Sequence, residues 1–439
     1  MKKIFFRGGV LLGGSALLSK FLGFFRDRLL LETFSADRVD LVFASFRIPD
    51  FFYFLLVGAT VAVVFLPRVH GLEEKEETRF FSSFLWGIAV FFGLVSLLGM
   101  IGAPVLAKLF AAGFAPEMRA EIVELARFLF GSVFFLSLSA TFAAFLQHRE
   151  RFISIALAPI FYTGGICAGV FFFRDKFGLL IVGFSAIFGA ILHFLTNLFA
   201  FFHAGGKLQM CWKKPVASFR GIGTDLWRRV FNNAAFQINQ SVDVLIASFL
   251  VAGTTTAFSI GSSLGHVLLS IVGFSAANSA FPRLTKNKNN CAAQKKILKK
   301  SVLWIAFFTI PAAIIGFALA TPILEILFKL EGLPLEMTRT VFRWTVVSLP
   351  LACVTPLFSR AFFANDDSKT PLLISGFSLF VATITAAVLA LYVFPREKAI
   401  LGLAIGNFTA NLLSALLFSF ILWKKHFCEP FAKDDLRQS

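Results

Sequence analysis

The chain has 439 residues, of which 57% are hydrophobic and 15% charged, with 60 Phe and a mean hydropathy of +0.79. A soluble domain carries about 25% charged residues, so this composition excludes a soluble fold and points to a multi-pass membrane protein. The formal charge of +17 does not call for nucleic acid, because Lys and Arg collect in the cytoplasmic loops of membrane proteins.

The N-terminal run to Phe6 opens like a signal peptide, and Gly14-Ser15-Ala16 resembles a cleavage site. The apolar run continues to Phe25, too long for the core of a signal peptide, so it is expected to be the first membrane helix. A spanning helix needs about 20 apolar residues, and twelve segments qualify. They are expected at roughly 4–32, 39–67, 80–110, 121–146, 152–173, 178–203, 226–251, 256–282, 300–328, 339–364, 370–394 and 399–423. Their lengths exclude an outer-membrane barrel, whose strands alternate over about 10 residues.

The first two spans carry charge at membrane depth: Lys20, Arg26, Asp27 and Arg28, then Asp40, Arg47 and Asp50. Ionisable groups there are costly unless they pair or face water. Asp40, Arg47 and Asp50 share one helical face by their spacing, as do Lys20 and Asp27. They read either as ion pairs that fix helix register, Asp27 with Arg47 for instance, or as a site for an anion. Lys20, Arg26, Arg28 and Arg47 outnumber Asp27, Asp40 and Asp50. A guanidinium presents paired donors that suit phosphate oxygens, so a phosphate-bearing anion is the expected ligand. Span one is also rich in glycine, and span two carries Pro49, where a kink is expected.

Alternate loops differ in Lys and Arg by about three to one, with the richer set beginning at Lys2, Lys3 and Arg7. The positive-inside rule then places both termini in the cytoplasm. Span seven is polar in stripes, with Asn232, Asn239 and Asp243 on one face and Gln237, Gln240 and Ser241 beside it. Such a stripe holds Na+ or a proton, or ties helices together. The five Cys show no CxxC spacing, and no metal ligand set, nucleophile–base pair or Walker loop is present. Neither an enzyme nor a resident cofactor is expected.

Phe65-Leu66-Pro67-Arg68-Val69 at the end of span two returns as Phe281-Pro282-Arg283-Leu284 at the end of span eight, and Asp27 returns as Asp243. These offsets predict an all-α polytopic membrane protein of twelve transmembrane helices in two pseudo-symmetric six-helix lobes around a central cavity, a plan common in secondary transporters. The boundaries are 1–204 for the first lobe, 205–225 for a cytoplasmic linker, 226–424 for the second lobe and 425–439 for a tail.

The run Ser19-Lys20-Phe21-Leu22-Gly23-Phe24-Phe25-Arg26-Asp27, followed by Val39-Asp40 through Arg47-Ile48-Pro49-Asp50, resembles the MurJ/MviN family. Ala247-Ser248-Phe249-Leu250, Ala280-Phe281-Pro282-Arg283-Leu284 and Ser368-Lys369-Thr370-Pro371 are similar to it as well. The resemblance implies a flippase of the multidrug/oligosaccharidyl-lipid/polysaccharide exporter superfamily. Such a protein moves lipid II, the undecaprenyl-pyrophosphate-linked peptidoglycan precursor, across the bacterial inner membrane by alternating access. It implies that Arg26, with Asp27 beside it, binds the diphosphate, that Lys20, Asp40 and Arg47 stand at family positions, and that Asp243 contributes to a cation site for Na+ or H+; Arg28, flanking the same face, is expected to help draw in the diphosphate. The expected partners are lipid II, membrane lipids and the cell-wall synthesis machinery.

Five departures from the family pattern stand out. Tyr53 replaces a basic residue, Gly58-Ala59 replaces GluGly, and an arginine of the eighth helix falls near Ser263. Span eleven has no Asp or Asn between 372 and 394, and two further C-terminal helices of many members do not follow span twelve. Three rival functions therefore stay open: a flippase for another polyprenyl-diphosphate saccharide, a drug/cation antiporter of the same superfamily, and a non-transporting cell-wall scaffold.

Overall fold

The computed structural model describes residues 2–69, 71–209, 237–288 and 290–424, with side chains placed for all of these except 2–12, 58–60, 62 and 63. The described residues are helical throughout, joined by short turns and without a strand. In chain order the helices are α1 (Lys2–Thr33), α2 (Ala36–Val69), α3 (Glu74–Phe110), α4 (Pro116–His148), α5 (Ile153–Phe177), α6 (Leu180–His203) and α7 (described over 237–248). They continue as α8 (Thr254–Lys286), α9 (Cys291–Ala318), α10 (Ala320–Phe328), α11 (Gly332–Ala364), α12 (Lys369–Val393) and α13 (Ile400–Leu422).

Nine of these helices, α3 to α6, α8, α9 and α11 to α13, are long and apolar enough to cross a membrane among the described residues. Of the other three expected spans, α1 and α2 form as long helices bearing the charged string, and α7 is described only in its second half. Ile101, Val105, Phe172 and Phe307 are each at least 67% exposed. Leaving such side chains in water forgoes about 25 cal/mol per Å², so a hydrocarbon surround accounts for them.

One expectation shifts. Hydropathy puts span nine at 300–328, yet α9 starts at Cys291 and stops at Ala318, with α10 following as a separate helix. The early start has a local cause: the Asn290 side chain accepts from the Ala293 amide at 2.9 Å and caps a helix whose early lysines, Lys295, Lys296, Lys299 and Lys300, hydropathy discounts. α2 continues helical through Pro49 and Pro67. α8 and α12 each contain a π-helical turn, at Leu269–Phe274 and Leu389–Val393.

The chain divides into two compact units, Met1–Ser248 and Phe249–Ser439. The division falls after α7, whereas the sequence pattern starts the second lobe at 226. Most of the expected linker 205–225 and all of the tail 425–439 lie outside the described residues.

In the first unit α4 is central, packed by α2, α3 and α6, while α5 joins α6 and α1. Aliphatic side chains of α1, α2 and α4, such as Leu30, Val42, Ile122 and Leu125, form one core. A second core is aromatic. Phe81 of α3 stacks on Phe201 of α6 at 4.8 Å, with Phe142 and Phe145 of α4 against the same ring. In the second unit α11 is central, packed by α8, α9 and α13, with α12 on α13. α4 and α11 start and end 216 residues apart, as do α5 and α12. The internal repeat read from the motifs thus extends to helix limits and to the packing order inside each unit.

The first unit has a buried ion pair where α3 meets the end of α4. Glu77 is 5% exposed, Arg149 Nη2 donates to its Oε2 at 2.6 Å, and His148 Nε2 lies 3.8 Å from Oε1. Removing one partner of a buried pair costs about 3–5 kcal/mol. The Arg149 side chain is 40% exposed, which lowers the expected loss to about 1–3 kcal/mol. Arg149→Ala is expected to lower the thermal midpoint of the detergent-solubilised protein, and Glu77→Gln in the same chain to restore most of it.

Candidate functional site

The charged string of α1 and α2 meets the polar stripe of α7 inside the first unit. Asp27 is 5% exposed, and Arg26, its neighbour on α1, turns back onto it. Nε and Nη2 of Arg26 both donate to Asp27 Oδ1, at 2.9 and 2.6 Å. The guanidinium also lies 5.7 Å from the ring centroid of Phe46 on α2. Asp27 therefore pairs with Arg26, not with Arg47.

A guanidinium has five N–H donors. With Nε and one Nη2 hydrogen on Asp27, the parallel Nη1/Nη2 edge of Arg26 remains, a fork that matches two phosphate oxygens.

Arg47 is committed elsewhere. Its Nε donates to Ser241 Oγ at 3.3 Å, Nη1 to Gln240 Oε1 at 2.9 Å, and Nη2 to Gln237 Oε1 and Gln237 O at 2.9 and 3.1 Å. All four acceptors are neutral and all belong to α7. Its electrostatic partners are Asp50 on α2 and Asp243 on α7. Asp243 is 7% exposed and accepts from Asn239 Nδ2 at 3.3 Å. Asp50 has Arg26 as a further electrostatic partner beside Arg47.

The other expected residues divide between this cluster and its surroundings. Lys20 is half-buried on α1, two turns before Asp27, and Asp40 is buried on α2, two turns before Arg47. Arg28 pairs with Glu32, one turn on, at 3.0 Å. Ser263 lies on α8 in the second unit, where its hydroxyl donates to Ile260 O at 2.9 Å.

One inference from the sequence needs correction. The excess of cations over acids vanishes once Glu32 and Asp243 are counted: Lys20, Arg26, Arg28 and Arg47 face Asp27, Glu32, Asp40, Asp50 and Asp243. What distinguishes the cluster is therefore donor geometry, with an open fork on Arg26, and not net positive charge.

Tyr162 of α5 and Tyr53 of α2 belong to the same cluster, since Tyr162 interacts electrostatically with Asp50, Arg26 and Tyr53. Tyr162 had a sequence signal that went unread. The chain has only three Tyr, so a tyrosine in an apolar span is itself a mark of a polar neighbour. Among the described residues no group of His, Cys, Asp and Glu is arranged to hold a metal ion.

Known proteins agree with this architecture. A solved structure described as lipid II flippase MurJ in an inward closed conformation superposes with a TM-score of 0.76 at 20% identity, covering 94% of this chain and 87% of that one. A MATE transporter of Vibrio cholerae superposes at 0.66 with 14% identity, covering 97% of both chains. Among curated proteins, a "Probable lipid II flippase MurJ" of Buchnera aphidicola is 26% identical over 416 residues, 90% of this chain and 80% of that protein. One of Bdellovibrio bacteriovorus is 26% identical over 442 residues, 96% and 83%. Residues 33–434 match the family model described as lipid II flippase MurJ, and the chain belongs to that family of membrane transporters.

Proposed function

We propose that this chain moves lipid II across the bacterial inner membrane in peptidoglycan synthesis. The observation that carries the reading is the unspent Nη1/Nη2 fork of Arg26, whose Nε and Nη2 are held by Asp27 Oδ1. It presents two parallel donors to a diphosphate in a medium where few other donors compete. Lys20 adds charge along the same helix, while Asp40, Arg28 and Arg47 complete the polar surface of α1 and α2.

In this reading α1, α2 and α7 join the nine apolar helices to make twelve spans. Both termini are cytoplasmic, and the two six-helix lobes alternate access to a cavity. The inside-negative potential favours outward movement of an anionic head group. Na+ or H+ at Asp243 resets the carrier. Lipid II and the surrounding lipids are its partners, with the cell-wall synthesis machinery downstream.

The test is rescue of a cell depleted of its own lipid II flippase, read by growth and by the lipid II exposed on the outer face. Rescue with restored exposure is expected. Full expression without rescue, and without change in lipid II distribution, would favour a scaffold. Ser263 supports a second reading. Its place on α8, where the family resemblance implies an arginine, suits a flippase for a different polyprenyl-diphosphate saccharide, and rescue of a cell lacking that flippase instead would select it.

A further inference from the structure

The hydrogen bonds of Arg47 carry a consequence beyond its place in the polar surface. A guanidinium grips a phosphate through one of two edges, Nε/Nη2 or Nη1/Nη2. Both edges include Nη2, and Nη2 is held twice by Gln237, through its side chain and its backbone carbonyl. Nη1 and Nε are held by Gln240 and Ser241. In this conformation Arg47 therefore has no free bidentate edge, in contrast to Arg26.

The acceptors that occupy it are amide and hydroxyl oxygens, without charge. A phosphate oxygen is a stronger acceptor for a guanidinium than a neutral amide. The tie is thus strong enough to hold α2 to α7 when no anion is present, yet weaker than the contact an anion offers.

We infer that Gln237, Gln240 and Ser241 are a built-in surrogate for the anion: they occupy Arg47 until a lipid diphosphate displaces them, and the displacement frees α7 from α2. The inference rests on the proposed diphosphate site and adds the coupling step. It gives α7, the last helix before the division of the chain at Ser248, a reason to respond to ligand bound on α1 and α2. The four bonds add to the contacts that hold α7 in the first unit, where Val244 joins the core and Ser248 Oγ accepts from Gly113 N. Gln237 and Gln240 are positioning residues in this scheme, since they act on the ligand only through Arg47.

The experiment measures binding of undecaprenyl diphosphate to the full chain in nanodiscs, with amide hydrogen exchange over 237–248 followed in parallel. Gln237→Leu/Gln240→Leu removes the competing side-chain acceptors and is expected to tighten binding about tenfold, the scale of one hydrogen bond to a charged group. Gln240→Glu gives Arg47 a charged partner and is expected to weaken binding about tenfold. In an Arg47→Lys background both effects should shrink, because the coupling runs through the guanidinium. Exchange in 237–248 should rise when the probe is added to the wild-type chain.

Tight binding by the wild type that neither α7 variant changes, or a weaker affinity in the double Leu variant, would overturn the surrogate role alone. Absence of binding by the wild type and by every variant would overturn the diphosphate site and the surrogate role together. Should the double Leu variant not fold, Gln240→Glu and the exchange readout decide the question by themselves.

Discussion

Arg26→Ala is expected to abolish lipid II translocation while leaving the chain inserted in the membrane. Two effects are combined in this substitution, and they can be separated. The alanine removes the open fork, and it also strips Asp27, 5% exposed, of both its hydrogen bonds to Arg26. An uncompensated buried carboxylate costs about 3–5 kcal/mol, so the single variant should also lose thermal stability.

Arg26→Ala/Asp27→Asn removes the stranded charge and is expected to recover most of that stability without recovering flux. Arg26→Lys keeps the charge and the partner but replaces a planar fork with a point donor, and should retain a small fraction of wild-type flux. The checks are membrane abundance, a thermal midpoint in detergent, and lipid II exposed on the outer face of a flippase-depleted cell. Wild-type flux from the Arg26→Ala/Asp27→Asn chain would remove Arg26 from the binding role.

How much of this was legible in the sequence depends on the kind of residue. Charges in an apolar span announce themselves because the surroundings make them costly, and Arg26, Asp27, Arg47 and Asp50 do meet in space. Their pairing was not legible. The pattern suggests Asp27 with Arg47, but the Arg26 side chain is long enough to fold back onto its neighbour, while Arg47 finds neutral acceptors about 190 residues away. Amide and hydroxyl side chains of α7 carry no charge signal that would match them to a particular arginine.

The surplus of cations failed for the same reason. Asp243 enters the balance only through tertiary packing, and Glu32 only because Arg28 turns along its own helix. The all-helical membrane class was legible, since hydropathy reports the lipid-facing surface directly. Helix ends were not, where a cap such as Asn290 overrides a run of lysines.

The structure also identifies two glycines, on α5 and α6, at a close approach beside the site. A Cβ on Gly189 would lie 2.4 Å from the backbone oxygen of Tyr162, and one on Gly165 would lie 2.8 Å from the Cα of Gly189. Both neighbours are backbone, so no side-chain rotation relieves the clash and the two helices must separate. Small residues allow such close approach in membranes, where packing and not hydrophobic burial holds helices together.

Gly189→Ala is expected to destabilise the chain by about 1–3 kcal/mol or more, the range for overpacking, against a helix-propensity gain of about 0.5–1 kcal/mol. Gly102→Ala on α3, where nothing lies within 4 Å of the added carbon, keeps only the propensity gain and should be neutral or stabilising. Thermal midpoints of the two variants should therefore move in opposite directions.

Transport should follow Gly189 as well. The residue pushed away is Tyr162, whose ring shares the cluster with Asp50 and Arg26, so Gly189→Ala is expected to reduce flux at a temperature where the protein is still folded. A fall in stability without any fall in flux would separate the α5–α6 contact from the site, and equal midpoints for Gly189→Ala and Gly102→Ala would refute the close approach itself.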